Sequence, residues 1–399
     1  MKLLYLVHQF FPKHYTGTER FTLDLAAQMQ RMGHYPTVVT YEPNSDVDEF
    51  QRLTSQILVK RYTYSKIPVV AFRHAGPADA SAIYQPAIER AFRKLEFGCD
   101  LVHVCHPMWL SSIAKLCKDS NTPVVMTLTD AWLLCPRALL DLDFRLCNGP
   151  EGGEKCFSSC RLRMKPRYLD ARSLYYMADE VAAPSRFLPT LIASNGWNRK
   201  VAVIPHSINY AHVRRSTNEK PSRSLNFVFI GTLQWHKGVH VLIEAFRRVS
   251  NDNIVLKIYG SHNHSDYFKA VLHLMQGDDR IRLLGPFPEE RLPDIMNDAS
   301  VIVVPSTYYE NYPLVMLTAL AYRVPAIVTN IGGMPEVIKQ SVNGFLFDVG
   351  RVDQLTDIIE QIGNEPHILD RLKANIVTPR RTEEEALDYE NMYRKVTRR

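Results

Sequence analysis

Two charged residues stand where strand-like runs give way to helical periodicity. Lys237 lies in "TLQWHKGVHVLIEAF", after the run "NFVFIG", and Glu310 lies in "VPSTYYENYPLVMLTALA". A lysine at the carboxyl end of a strand, near the start of a helix striped by Val239, Leu242, Ile243 and Phe246, can meet a phosphate as a point charge. The plainer alternative is a solvated surface lysine. In the second stretch, Pro305 and Ser306 break the strand and Pro313 suits a helix start, which leaves Leu314 and Val315 with unpaired N–H groups. A carboxylate beside such an anion-favouring end repels phosphate, so Glu310 reads as facing hydroxyls. Its simpler role is to pair with the helix dipole.

Other residues carry weaker signals. Thr16 and Glu19 have capping-box spacing around Gly17, and a glycine there lets backbone N–H groups approach an anion. Plain capping explains the same pattern. His103 lies in the run "LVHV" and His106 just past its carboxyl end; on the plain reading the first is a partly buried strand histidine and the second a loop histidine. Cys135, Cys147, Cys156 and Cys160 are four of the seven cysteines, with gaps of 11, 8 and 3 residues. Four thiolates suit zinc or an iron–sulfur cluster as a structural site, although two disulfides or free thiols fit the count equally. Cys99, Cys105 and Cys117 read as core or near-core residues. Arg161, Arg163, Lys165, Arg167 and Arg172 form a basic stretch that could rest on anionic lipid or simply be a solvated face.

These residues need strands and helices to position them. Continuous apolar runs at 3–7, 37–41, 101–104, 124–128, 180–183 and 201–204, then at 226–230, 254–259, 281–284, 300–304, 325–329 and 344–347, suit parallel strands covered on both faces. Helical periods lie between them. The pattern restarts after the polar, basic stretch 209–224, the expected linker. Hence the expectation is α/β: two doubly wound Rossmann-like domains facing across a cleft, at 1–208 (with a Cys-rich insert at 135–160) and 209–378. The tail 379–399 reads as a helix, with Thr382 as N-cap, acidic residues at its start and basic ones at its end.

The 399 residues are 46% hydrophobic and 23% charged, with a net charge of +6. That is the composition of an ordinary globular protein, and the charge is too small to imply nucleic acid. No apolar run reaches the roughly 18 residues of a membrane span. "MKLLYLVHQFF" reads as a first strand rather than a signal peptide, so a cytoplasmic location is expected, where disulfides are disfavoured.

Taken in order, "TGTERFTLDLAAQMQRMGH", "DLVHVCHPMWLS", "APSRFL", "IGTLQWHKGVHVLIEAF", "LLGPF", "VPSTYYENYPLVMLTALA" and "TNIGGMPEVIKQSVNGFLF" resemble the group 1 (family 4-like) retaining nucleotide-sugar glycosyltransferases of GT-B fold. The resemblance covers nearly the whole chain. It implies that Gly17 presents backbone N–H groups near the donor phosphates. Lys237 would neutralise the diphosphate leaving group in place of a metal, so that no cofactor is required for catalysis. Glu310 would hold donor-sugar hydroxyls, with Asn311, Tyr312, Leu314 and Val315 lining sugar and phosphate. Gly285 and Pro286, in "LLGPF", would belong to the nucleobase pocket. His106 becomes a candidate near the acceptor. The final helix would cross back onto the first domain.

By that resemblance, a nucleotide-diphosphate sugar is the donor, and a saccharide or lipid-linked saccharide is the acceptor. The location would be the cytoplasm, with peripheral contact at the inner face of the cytoplasmic membrane and no nucleic-acid partner. The reaction passes a sugar to an acceptor hydroxyl with retention, and the main demand on the protein is to stabilise charge on the departing phosphate.

Four positions depart from the family pattern. Thr318 stands where the family has a second glutamate on the donor ribose. Thr129 stands where many relatives have histidine. Thr232 replaces an arginine, leaving Lys237, with His236, to neutralise phosphate. Arg323 replaces a glycine. These departures keep two alternatives open: a nucleotide-sugar-binding pseudoenzyme, and another GT-B enzyme such as an epimerase or phosphorylase.

Overall fold

The computed structural model describes the chain apart from residues 44–48, 138, 141–143, 151–153, 155, 157–159, 161–163, 215–223, 263 and 399. Most of the expected linker, and with it Arg161, Arg163 and Arg399, therefore lies outside the described residues. The chain divides into two compact units, Met1–His206 with Thr382–Arg399, and Ser207–Arg381.

In the first unit, β1 (Lys2–Leu6), β2 (Tyr35–Tyr41), β6 (Leu101–Val104), β7 (Val124–Thr127), β8 (Glu180–Ala183) and β9 (Ala202–Val203) pair in parallel. Helices α1 (Gly17–Arg31), α2 (Pro86–Arg93), α3 (Ser111–Asp119), α4 (Lys165–Met177) and α5 (Phe187–Ser194) connect them. The nine-stranded order is β3-β4-β5-β2-β1-β6-β7-β8-β9. Three of these strands, β3 (Gln51–Arg52), β4 (Ile57–Tyr64) and β5 (Ile67–His74), were not among the expected strands. β4 pairs antiparallel with both β3 and β5. It alternates half-buried and exposed residues over its second half instead of forming an apolar run. Its hairpin turns through Ser65 and Lys66, both at positive φ. That conformation usually selects Asn or Gly, so the turn gave no sequence signal.

The second unit holds a six-stranded parallel sheet in the order β12-β11-β10-β13-β14-β15. Its strands are β10 (Leu225–Ile230), β11 (Ile254–Tyr259), β12 (Ile281–Gly285), β13 (Val301–Val304), β14 (Ala326–Thr329) and β15 (Gly344–Phe347). Helices α6 (Val239–Arg248), α7 (Asp266–Met275), α8 (Leu292–Asp298), α9 (Leu314–Ala321), α10 (Met334–Val337), α11 (Val352–Asn364) and α12 (His367–Ala374) cover it. One core packs Phe227, Leu256 and Val301 against α6 and α11, and the other packs Val228, Ile302 and Val328 against α9. Both faces are covered, which is why the strands read as apolar runs. The strand order reverses between β10 and β13, the switch point at which open sheets hold ligands.

The last helix, α13 (Thr382–Thr397), packs into the first unit through Ala386, Tyr389, Tyr393 and Val396. A buried polar network locks it there. His103 Nδ1 meets the Tyr393 hydroxyl at 2.6 Å, and His103 Nε2 meets the Thr127 hydroxyl at 2.7 Å. Thr127 also meets the Tyr389 hydroxyl at 2.9 Å. His103 is therefore a core residue that docks the helix. Burial drives its imidazole down to about 3, so it is neutral.

Candidate active site

Lys237 ends a 3-10 turn after β10 (Trp235–Lys237), and Gly238 follows at φ +71. A Cβ on Gly238 would fall 1.9 Å from the Pro305 carbonyl oxygen. Only glycine allows the loops after β10 and β13 to come this close. The Thr307 N–H then donates to the His236 carbonyl at 2.8 Å, tying the two loops together.

The result joins two residues 73 apart in sequence. Lys237 Nζ donates to Glu310 Oε1 at 2.7 Å and to the Tyr308 hydroxyl at 3.0 Å. Ser306 also donates to Glu310 Oε1, at 2.9 Å, and Tyr308 donates to Oε2 at 3.3 Å. Behind them, the Gly333 N–H donates to the Glu310 carbonyl at 2.9 Å. A Cβ on Gly332 would fall 1.9 Å from that carbonyl oxygen, so the loop after β14 buttresses Glu310 by close backbone approach.

The electrostatics follow from the pairing. Burial by itself would raise the Glu310 carboxyl, but Lys237 and Ser306 outweigh it and hold it below the ordinary carboxylate range. Burial by itself would lower Lys237, but Glu310 and Tyr308 hold it above the ordinary lysine range. Both are charged at neutral pH. Among the described residues, two of the three ammonium donors are used, which leaves a third for a ligand. Glu310 Oε2 takes only the longer Tyr308 contact and can still accept from a hydroxyl. His236 does not share the cationic role expected of it. Burial, then Lys237, lower its imidazole to about 4, so it is neutral.

The remaining second-unit candidates fall around this pair or at the sheet edge. Asn311 is buried and Tyr312 half-buried in the same loop. Pro313 is the N-cap of α9 rather than its first residue, and its carbonyl accepts from the Met316 and Leu317 N–H groups. Leu314 and Val315 form the exposed-backbone end of that helix. Thr318 donates its hydroxyl to the Leu314 carbonyl at 2.8 Å, so it offers a ligand lone pairs but no charge. Gly285, at φ +72, ends β12 and Pro286 follows it, two strands away from β10. Sequence reading missed Ser306 and Tyr308 as partners of Glu310, although both lie within the same stretch.

In the first unit, Gly17 opens α1 and is exposed. The capping box does not form: the Thr16 hydroxyl donates to the Glu19 carboxylate at 2.5 Å and makes no cap to the backbone. His106 is buried after β6, 3.2 Å from Asp130.

The cysteine insert departs from expectation. Among the described residues, no group of three or more His, Cys, Asp or Glu could hold a metal ion. The Cys147 thiol is turned to the Gly149 backbone at 3.5 Å, while Cys135 and Cys156 lie within electrostatic range of the Arg167 guanidinium.

Arg167 likewise leaves the expected lipid-facing stretch. It is buried, stacks on Trp132 and donates to the Trp132, Leu133 and Ser81 carbonyls. Arg172 lies over the Tyr176 ring, and Lys165 pairs with exposed Glu154. Among the described residues, no helix is long and apolar enough to cross a membrane.

Two Rossmann-like units define the GT-B class of glycosyltransferase. Comparison with known proteins agrees. A model described as glycosyltransferase family 4 matches residues 15–212, and one described as glycosyl transferases group 1 matches 213–377. The chain belongs to the group 1 glycosyltransferases.

An uncharacterized glycosyltransferase of Methanocaldococcus jannaschii is 32% identical over 132 residues, 33% of each chain. A D-inositol 3-phosphate glycosyltransferase of Kribbella flavida is 29% identical over 149 residues, 35% of each. The matched stretch thus spans about a third of these relatives. In structure, the chain is similar to sucrose-phosphate synthase of Thermosynechococcus elongatus, with TM-score 0.72, 17% identity, and 99% of this chain and 98% of that one covered. It is also similar to Anabaena HepE in complex with UDP and glucose, with TM-score 0.73, 17% identity, and 98% of this chain and 99% of that one covered.

Proposed function

We propose that this glycosyltransferase moves a sugar from a nucleotide-diphosphate sugar to an acceptor hydroxyl, with retention and without a catalytic metal, in polysaccharide, lipopolysaccharide or glycolipid assembly. The observation that carries the reading is the Lys237–Glu310 pair at the switch point of the second unit's sheet. The third Lys237 donor meets the diphosphate and stabilises the charge that grows on it as the sugar leaves. Glu310 Oε2 accepts from a donor-sugar hydroxyl. Asn311, Tyr312, Leu314 and Val315 complete the sugar and phosphate contacts, Thr318 meets the ribose, Gly285 and Pro286 border the base, and Gly17 presents its N–H to phosphate. The naming of HepE's ligands as UDP and glucose, and of another relative as a putative colanic acid biosynthesis glycosyltransferase of Salmonella typhimurium, supports the donor and pathway classes.

The test is a thermal-shift panel of UDP-, GDP-, ADP- and dTDP-sugars with the bare nucleotides. A ligand at 100 times its dissociation constant stabilises by about 2.7 kcal/mol. A shift with one nucleotide class is expected, and turnover of that donor should require an acceptor. No shift at millimolar ligand would overturn the reading. Full transfer by Glu310→Ala would remove the role given to Glu310.

A further inference from the structure

The first unit carries a polar cluster that the donor-side chemistry does not use. His8 follows β1, His106 follows β6 and Asp130 follows β7, so all three stand at the carboxyl ends of adjacent parallel strands. The His8 and His106 rings are 4.0 Å apart, and His106 Nε2 is 3.2 Å from Asp130 Oδ2. Glu19 Oε1 lies 3.5 Å from His8 Nε2 on the far side.

The hydrogen bonds decide the His106 tautomer. The Met108 N–H donates to His106 Nδ1 at 3.2 Å. A ring nitrogen that accepts carries no proton, so neutral His106 holds its proton on Nε2 and donates it to Asp130. Both ring nitrogens are then spent. The imidazole keeps no lone pair for a substrate proton, and its side chain is only 2% exposed.

Asp130 is the outward-facing member. Its side chain is 46% exposed, and its Oδ1 accepts the Trp132 N–H at 2.9 Å. Partial burial would raise this carboxyl, but the hydrogen bonds from His106 Nε2 and the Trp132 N–H help hold it below the ordinary carboxylate range, so it is an anion. Beside it, His8 Nδ1 is buried with no hydrogen-bond partner among the described residues. A buried polar atom left unpaired costs free energy that a ligand hydroxyl can relieve. Thr129 turns its hydroxyl to the Cys105 carbonyl at 3.2 Å, so the imidazole at this corner comes from the loop after β6.

We propose that Asp130, and not His106, is the acceptor-binding residue at this corner of the first unit: its carboxylate accepts a hydrogen bond from a hydroxyl of a saccharide acceptor. His106 is a positioning residue that holds Asp130. This assignment deepens the transferase reading and rests on it.

The test uses the full chain with 13C,15N-labelled histidines, titrated with methyl glucoside, galactoside, mannoside and N-acetylglucosaminide, with and without UDP. The His106 signal is identified by its loss in His106→Gln. The expected result is an Nε2–H tautomer, a saturable shift of the His106 signal with at least one glycoside, and at least tenfold weaker binding of that glycoside by Asp130→Asn with the other histidine signals unchanged. Asp130→Glu should retain part of the affinity. The assignment is overturned if no glycoside moves the signal, if Asp130→Asn binds as tightly, or if the proton sits on Nδ1. The nucleotide panel on the same samples separates the two readings. Nucleotide binding with no glycoside response refutes this assignment alone, whereas a glycoside response with no nucleotide binding refutes the transferase reading.

Discussion

Lys237 Nζ lies 2.7 Å from Glu310 Oε1, each residue on a different strand-to-helix loop of one parallel sheet. Two groups that the proposed reaction assigns to different parts of the donor thus hold each other. A phosphate on the third ammonium donor therefore shares the Lys237 charge with Glu310, and the two anions compete for that charge.

Competition predicts opposite effects on nucleotide and reaction. Glu310→Gln removes the competing charge and should tighten bare UDP, or whichever nucleotide binds, by about 1 kcal/mol, roughly fivefold. The same change removes a charged hydrogen bond to the sugar, so transfer should fall about tenfold to a hundredfold. Calorimetric titration and transfer rates read the two separately. Weaker nucleotide binding in Glu310→Gln would contradict the competition.

Gly238 is the hinge of this arrangement. Its φ of +71 and the 1.9 Å approach of Pro305 predict that Gly238→Ala loses at least about 2 kcal/mol of stability, together with nucleotide binding. Gly277, also at positive φ but with nothing near its missing Cβ, is the control. Gly277→Ala should carry only the left-handed cost of about 1–2 kcal/mol and keep the nucleotide.

Thr318→Glu should restore a charged acceptor on α9. If the nucleotide ribose lies there, affinity rises about tenfold to a hundredfold. An unchanged dissociation constant would remove Thr318 from the donor site.

Arg323 sits at φ +60 just after α9, where the family has glycine. The left-handed conformation costs a side chain that glycine avoids. Arg323→Gly should stabilise the chain by about 1 kcal/mol, seen as a raised Tm, with activity unchanged.

His103 makes the chain acid-sensitive. Its folded-state value, about 3, lies below the unfolded 6.5, so the unfolded chain binds the proton first. Stability is full above pH 6.5, falls as pH drops below it, and levels off near 3. At pH 5 this site alone should cost about 2 kcal/mol. His103→Gln should show a smaller drop in Tm between pH 7 and pH 5, even if it starts lower. An equal drop in both proteins would show that His103 is not the sensor.

Much of the fold was legible because it is written locally. Runs such as IVLKIY at 254–259 and LVHV at 101–104 are buried on both faces, and each became a strand with the same bounds. The hairpin of β4 and β5 was not legible. Its exposed half alternates with Arg61 and Thr63, and Ser65 and Lys66 turn without a glycine. The site divides in the same way. Lys237 and Glu310 stood out because each follows a strand. Ser306 and Tyr308 did not, because hydroxyls in a loop have no pattern of their own. The spacing of the four cysteines counts residues and not directions, and it did not show that the Cys147 thiol turns to the Gly149 backbone.

The sequence by itself determined the parallel strands of two α/β sheets, a final helix and the charged residues at strand ends, because apolar period and turn chemistry act over a few neighbouring residues. Only the tertiary structure decided which of those residues meet. The Lys237–Glu310 contact depends on β10 lying beside β13 and on Gly238 letting their loops touch. The tautomer of His106 depends on one backbone N–H aimed by the loop after β6. Such directions belong to packed backbones, and no spacing along the chain encodes them.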